Sequence, residues 1–380
     1  MIYRTPPLPD DFLQVIEKIS DLREKLRFAT SDSLNRWTRL LARTTAAQVM
    51  VSTNSIEGIN VTLDHAIAVV DGEPSPGPED ADRRAVIGYW NAMTYIVQLS
   101  KDPGYVHNEG TLKSLHYMLL AHDLKMHPGR WRPGAIHIAN TASNQIVYEG
   151  PDAALVPGLM AALIDFLNTK HPQPLVKAAL AHLNLTMIHP FSDGNGRMAR
   201  ALQTMVLSRE GILDPHFSSI EEYIGAHSAD YYQVLAEVGR GSWQPGNDPL
   251  PWIRFCLTAH YRQAAHLLRR IMDTAALWNA LESEIKSRKM NPRVIHALAD
   301  AATGLEVRNP VYRKQAEISN QVAKTDLKNL ADAGLLTPKG EKRGRHYLAG
   351  ATIKEIRDRT RTAKMEANPF LDVRQSAGAR

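Results

Sequence analysis

A chain of 380 residues with 44% hydrophobic and 7% aromatic residues has apolar material for two or three domains and a sizeable core, which excludes a disordered or fibrous protein. Its single cysteine, Cys256, excludes an internal disulfide framework and fits a reducing compartment, so the cytoplasm is the expected location. The net charge of +5 is uneven: from Lys286 onward 20 Lys and Arg face 10 Asp and Glu, which leaves residues 1–285 at −5 and points to a separate basic module with an anionic partner, or to a solvated basic surface.

In chain order, residues 11–29 and 34–50 read as amphipathic helices, the first with Leu13, Ile16, Ile19 and Leu22 on one stripe. No apolar run nears the roughly 18 residues of a membrane span, and MIYRTPPLPDDF has no apolar stretch of a secretory leader. Asp71 to Pro78 is a Pro/Gly-rich loop. Helical patterns follow at 79–100, 109–123, 152–169 and 174–188. A hairpin is expected from Ala135–Ala139 and Ile146–Glu149, around the turn formers Asn140 to Gln145. Helices at 228–239 and 250–289 complete the body.

Beyond about residue 291 the pattern changes. Helical stripes run Arg293–Ala302, Tyr312–Ile318 and Gln321–Ala333, with Ser319-Asn320 joining the last two. Leu335–Thr337 and His346–Leu348 then flank a basic, glycine-containing turn. Two close helices and a short basic hairpin form the pattern of a winged helix-turn-helix. Lys324, Thr325 and Lys328 would face DNA, with Arg343 and Arg345 in the wing; the same fold also mediates protein contacts. Residues 351–380 read as a helix fraying into a charged tail. The expected fold is mainly α with one short hairpin and a small C-terminal winged-helix domain. Its parts are 1–84, 85–285, 286–350 and 351–380.

The richest segment is His189-Pro190-Phe191-Ser192-Asp193-Gly194-Asn195-Gly196-Arg197, with Arg200 three residues on. The glycines let backbone N–H groups converge on an anion at a helix start, where the helix dipole favours negative charge. Arg197 and Arg200 share the first turn, and their guanidinium forks suit phosphate oxygens. Asp193 is a hard oxygen ligand suited to Mg²⁺, and a neutral His189 can accept a proton from a hydroxyl. Three fragments alone have commonplace readings: Gly-Asn-Gly as a turn, Arg-x-x-Arg as a solvated helix face and His-Pro as a helix end. Together they point to nucleotidyl or phosphoryl transfer. Among other histidines, His65, His116 and His122 read as partly buried structural residues. No zinc-ligand spacing accompanies His182 and His189. Trp131, Trp252 and Trp278 read as core or hinge anchors.

HPFSDGNGRMAR resembles the signature of the Fic (filamentation induced by cyclic AMP) domain family at every fixed position. Gly129–Ile138 with the hairpin resembles the family's flap, and Tyr231-Tyr232 and Trp252–Phe255 resemble its later helices. The resemblance covers roughly residues 85–275. It implies a helical core with a flap and a protein adenylyltransferase. His189 would be the base that deprotonates a Ser, Thr or Tyr hydroxyl of a target protein, and AMP would pass to it from ATP. Asp193 would hold Mg²⁺. Phe191, Gly194, Asn195, Gly196, Arg197 and Arg200 would form the ATP and phosphate site, with Tyr232 near the adenine. Relatives with kinase chemistry carry Lys where this chain has Gly196. The target segment would pair with the flap, residues 135–149, by strand addition.

Thr53-Asn54-Ser55-Ile56-Glu57-Gly58 by itself reads as a helix end with an exposed acid and a glycine cap. Beside the motif it resembles the family's inhibitory segment in its N-terminal form (class II). That implies Glu57 pairs with Arg200 and competes for the ATP γ-phosphate site; Thr53 shares a helix face with Glu57 and Gly58 can cap the helix. Removal of AMP is a further activity of some relatives. The alternatives from the sequence are a DNA-binding regulator whose domain senses ATP, and transfer of UMP or phosphocholine. The sequence leaves the oligomeric state open, a homodimer included.

Overall fold

A computed structural model describes residues 1–31, 37–73, 81–139, 145–210, 219–363, 368–371 and 373, with the side chains of 28–31 and 343 not described. The chain is mainly helical. Its centre is a pair of helices, α7 (Pro174–Ile188) and α8 (Asn195–Arg209), joined by the loop that holds the motif. Every residue from Leu175 to Ile188 is buried, so α7 is a central rather than a surface helix. Pro174 sits in its first turn, where a missing N–H costs nothing. Buried Asn184 on α7 bonds the Tyr3 backbone N–H at 2.8 Å and its carbonyl at 3.1 Å, which fixes the N-terminal segment on this helix.

Around the pair lie α1 (Asp10–Ser31), α2 (Thr38–Ile56), α3 (Leu63–Asp71), α4 (Ala81–Lys101), α5 (Glu109–Leu120) and α6 (Val156–Asn168). After α8 come α9 (Glu221–Ala226), α10 (Ser228–Gly239) and α11 (Leu250–Ser287). The sequence pattern did not reveal α3 or α9, which are short and only partly apolar. It also stopped the second helix at 50, whereas α2 runs to Ile56 and so carries Thr53.

Strands β1 (His137–Ala139) and β2 (Ile146–Glu149) pair antiparallel, with His137 opposite Glu149, Ile138 opposite Tyr148 and an irregularity after Ile138. The expected turn at 140–144 lies outside the described residues. Only Tyr148 of β2 points into the core. Its hydroxyl donates to the Met187 carbonyl at 2.8 Å and ties the hairpin to the end of α7.

Three apolar clusters meet along α11, whose 38 residues span about 57 Å at 1.5 Å each; a small one joins its Ala264, Leu267 and Ile271 to Leu26 and Leu41. The largest takes α1 to α10 and the first part of α11. The C-terminal one joins Leu277, Trp278, Leu281 and Ile285 of α11 to α12 (Ile295–Ala302), α13 (Asn309–Gln315), α14 (Asn320–Asp332), β3 (Leu336–Lys339), β4 (His346–Ala349) and α15 (Ala351–Thr360). Ser319 caps α14 by accepting from the Val322 N–H. Buried Asp326 accepts two bonds from Arg293 and one from the Tyr312 hydroxyl, at 2.8 to 3.0 Å, and locks these helices together. At the end of β4, a side chain on Gly350 would lie 2.1 Å from the Gly334 carbonyl, so only glycine fits. Among the described residues no helix is long and apolar enough to cross a membrane.

Candidate active site at the loop between α7 and α8

The site begins where α7 ends. His189 takes a left-handed backbone (φ 50°), and its N–H closes the helix on the Leu185 carbonyl. Its Nδ1 lies 3.1 Å from the Thr186 carbonyl, which can only accept, so Nδ1 carries the proton and Nε2 keeps its lone pair. Burial pushes the imidazole's pKa below its ordinary value. The Thr186 bond, Glu57 and Asp193 oppose that shift, and Arg132 adds to it. His189 is therefore held as a neutral base.

The loop is braced from three sides. Asn195 folds back on Phe191, accepting its N–H at 3.0 Å and donating to its carbonyl at 2.9 Å. His116 on α5 accepts from the Gly129 N–H and so donates through Nε2 to the Asp193 carbonyl, both at 2.9 Å. Burial lowers the His116 pKa to about 4, which keeps this ring neutral. Arg132, nearly fully buried, donates to the carbonyls of His189, Gly134 and Pro151, and its own N–H bonds the Pro190 carbonyl. One guanidinium thus joins the catalytic loop to the root of the hairpin.

Phe191 calls for a correction. Its ring is fully buried, stacked on His116 at 3.5 Å and tilted against Trp131 at 4.9 Å. Its N–H is taken by Asn195. It therefore supports the loop from below and has no group facing a phosphate.

Gly194 is left-handed (φ 72°) and precedes α8, so the first free N–H groups of that helix open into the site. Arg197 and Arg200 leave the first turn nearly buried. Asp193, its carboxylate about half exposed at 48%, lies 3.7 Å from Arg197. Among the described residues, Arg197 Nε and Nη1 and Arg200 Nη1 are buried without a hydrogen-bond partner. Buried guanidinium N–H groups without acceptors are costly, and in a cradle they are what an anionic ligand satisfies.

The end of α2 reaches this cradle. Glu57 Oε1 accepts from Arg200 Nη2 at 2.7 Å. Thr53 accepts twice from the same guanidinium, through Oγ1 at 2.9 Å and its carbonyl at 3.1 Å. A side chain on Gly196 would lie 2.3 Å from Glu57 Oε1, so the carboxylate rests on the bare face of the glycine. Burial alone would lower the Arg200 pKa, but Glu57 reverses this and the guanidinium is held firmly charged. The same carboxylate acts on Arg197 and on His189. Glu57 turns the chain: Gly58 is left-handed (φ 77°) and donates to Ser55, while Ile59 donates to Asn54. These are the two bonds of a Schellman cap. Tyr232, half exposed, donates to the Ile56 carbonyl at 3.2 Å. The structure thus brings His189, Asp193, Gly194, Gly196, Arg197, Arg200, Thr53, Glu57 and Tyr232 to one place. His182 lies elsewhere: it is buried between Tyr231 at 3.1 Å and Gln203 at 2.6 Å, as part of the helix packing. The sequence places Arg132 in the segment Gly129–Ile138 that resembles the flap but assigns it no role.

A helical body, an anion-cradling loop between two central helices and a hairpin rooted beside it define the class of this domain. Residues 107–207 match the Fic/DOC family. The chain is 28% identical over 246 residues to "Protein adenylyltransferase Fic" of Nematostella vectensis, which is 64% of this chain and 53% of that protein. It is 26% identical over 250 residues to "Protein adenylyltransferase fic-1" of Caenorhabditis elegans, 64% of this chain and 46% of that protein. It thus spans about half the length of these curated relatives. The fold is similar to the crystal structure of a Fic family protein from Desulfovibrio desulfuricans G20, with a TM-score of 0.58 at 23% identity over 92% of this chain and 99% of that one. A structure of Fic-1 from C. elegans has a TM-score of 0.53 at 22% identity, over 68% of this chain and 72% of that one.

Proposed function

We propose that the chain is a protein adenylyltransferase that Glu57 keeps shut. The observation that carries this reading is the Glu57 carboxylate on Arg200 and over Gly196. A carboxylate on a buried arginine in a phosphate cradle is a mimic of the ligand's charge. The adenylyltransferase names of the relatives support the reaction.

With Glu57 lifted, ATP oxygens would take the N–H groups of Arg197, Arg200 and the start of α8. The hydroxyl oxygen of a Ser, Thr or Tyr on the target attacks the α-phosphorus. The bond from that phosphorus to the bridging oxygen breaks, pyrophosphate leaves, and the hydroxyl proton passes to His189 Nε2. Asp193 fits a single ligand to Mg²⁺, since it is exposed beside the cradle; among the described residues no group of three or more His, Cys, Asp or Glu could hold a metal unaided. Bound there, the cation would offset phosphate charge. The target would add a strand to the hairpin, where β1 has no second neighbour among the described residues. A site of this kind on a chain with one buried cysteine fits the cytoplasm.

The partner of the C-terminal module is read as duplex DNA. Lys324, Thr325 and Lys328 are exposed on one face of α14, and Lys339, Lys342 and Arg345 are exposed on the hairpin. The Arg343 side chain lies outside the described residues.

The test is mass spectrometry of the Glu57→Gly chain incubated with Mg²⁺ and mixed nucleotides, with and without His189→Ala. The mass of an AMP group, lost with His189→Ala, is the expected result. A UMP or phosphocholine mass replaces the donor in this account, and labelling that survives His189→Ala overturns the base.

A further inference from the structure

The inhibitory helix is gripped at both ends, and its second grip belongs to the C-terminal module. Arg43 lies on α2, ten residues before Thr53 and so about 15 Å along one uninterrupted helix. Its guanidinium is buried, with 8% of the side chain exposed. Nε donates to both oxygens of Asp71, at the end of α3, at 2.8 and 2.9 Å. Nη1 donates to Asp300 Oδ1, on α12 of the module, at 2.7 Å. The other Asp300 oxygen accepts from Gln315 of α13 at 3.1 Å.

The module also holds α3 at both ends. The Glu306 N–H donates to Asp64 at 2.8 Å near its start, and Lys314 donates to the Asp71 carbonyl at 2.7 Å and to Glu73 at 3.1 Å at its finish. Leu40 of α2 is buried in the module's own core. Yet the junction is not continuously packed. A cavity of about 400 Å³ opens beside the ion triad, lined by Arg43, Asp71, Trp90, Trp278, His296 and Gln315. A junction in which a limited apolar contact is joined to polar bonds beside open space can yield where a continuous apolar interface would not.

We propose that the C-terminal module holds the brake: its hold on Arg43 keeps α2 seated, and hence keeps Glu57 on Arg200. This rests on the transferase reading above and adds a second control point to it, about 15 Å from Thr53 along α2. An α-helix is stiff on this scale, so a shift at Arg43 is felt at Thr53 and Glu57.

The test compares labelled AMP incorporation by the full chain, Asp300→Asn, Glu57→Gly and the double variant. Asp300→Asn leaves Arg43 paired with Asp71, so α2 remains folded while the module loses its charge on it. The expected result is a rise of roughly five-fold or more over the wild-type chain, the low end of typical coupling between sites, with the double variant equal to Glu57→Gly alone. Lys314→Met removes an exposed bond at the same junction without burying a charge, and should give a smaller rise. It keeps the test open if Asp300→Asn fails to fold by thermal unfolding. Both variants at or below the wild-type level, with Glu57→Gly active, overturn the inference. So does an equal rise from Asp300→Asn in the Glu57→Gly background. An inactive Glu57→Gly chain instead overturns the transferase reading.

Discussion

The loop between α7 and α8 and the end of α2 lie against each other but are held in different ways. The loop is fixed many times over. Asn195, His116 and Arg132 each clamp its backbone from a different element, and Phe191 fills the space beneath it. The end of α2 meets the cradle through one guanidinium and one tyrosine hydroxyl, while Thr53 and Asn54 are fully buried and Ile56 packs on the main core. Its own helix cap is complete, so it could leave the cradle without unravelling. A rigid site beside a displaceable carboxylate is what the proposed brake requires. The Glu57 side chain itself is held in the cradle by one charged contact, of the kind a nucleotide's phosphates can replace.

That contrast can be tested at each side. The largest effect is expected from His189→Ala in the Glu57→Gly chain: loss of the base should lower AMP transfer by about 10²–10⁴-fold, with ATP binding by calorimetry little changed. Arg132→Met attacks the loop's rigidity without touching the ligand. It should reduce kcat by roughly 10–100-fold through misplacement of His189, while KM for ATP stays nearly constant; a change confined to KM would mean Arg132 is not a brace. The pH profile of transfer should show an acid limb below the ordinary histidine value of about 6.5, because burial favours the neutral imidazole. Glu57 opposes that shift, so the limb should move to still lower pH in Glu57→Gly than in the wild-type chain. A limb above the ordinary value would show that the ring is not held neutral.

Stability should follow the buried histidines. The pKa values of His107 and His116 are lowered to about 4 and that of His182 to about 3, chiefly by burial. Above about 6.5 these rings are neutral in folded and unfolded chains alike and have no effect. As pH falls from there towards 4 the unfolded chain takes up protons that the folded chain refuses, and stability declines. A Tm that holds constant from pH 7 to 4 would contradict this. The smallest effect concerns the module: Lys328→Ala should weaken DNA binding at every sequence and lower the salt slope by about 1.

The sequence revealed the loop because its chemistry is contiguous: base, acid, glycines and both arginines fall within twelve residues. Glu57 was readable only because its segment resembles a known partner of that loop, since an acid at a helix end is otherwise commonplace. Phe191 was misassigned because proximity in a motif does not tell a ligand contact from a support beneath it. The role of Arg132 was invisible because its partners are backbone carbonyls, which any sequence has. The grip of Asp300 on Arg43 joins residues 257 apart, and neither side chain carries a local signal of the other.

The most direct measurement is the rate of AMP transfer from labelled ATP by the Glu57→Gly chain against the wild-type chain, at equal concentration and with Mg²⁺. The account predicts strong incorporation by the variant and little by the wild-type chain. Equal rates in two folded proteins would contradict it, because the carboxylate on Arg200 would then exclude nothing.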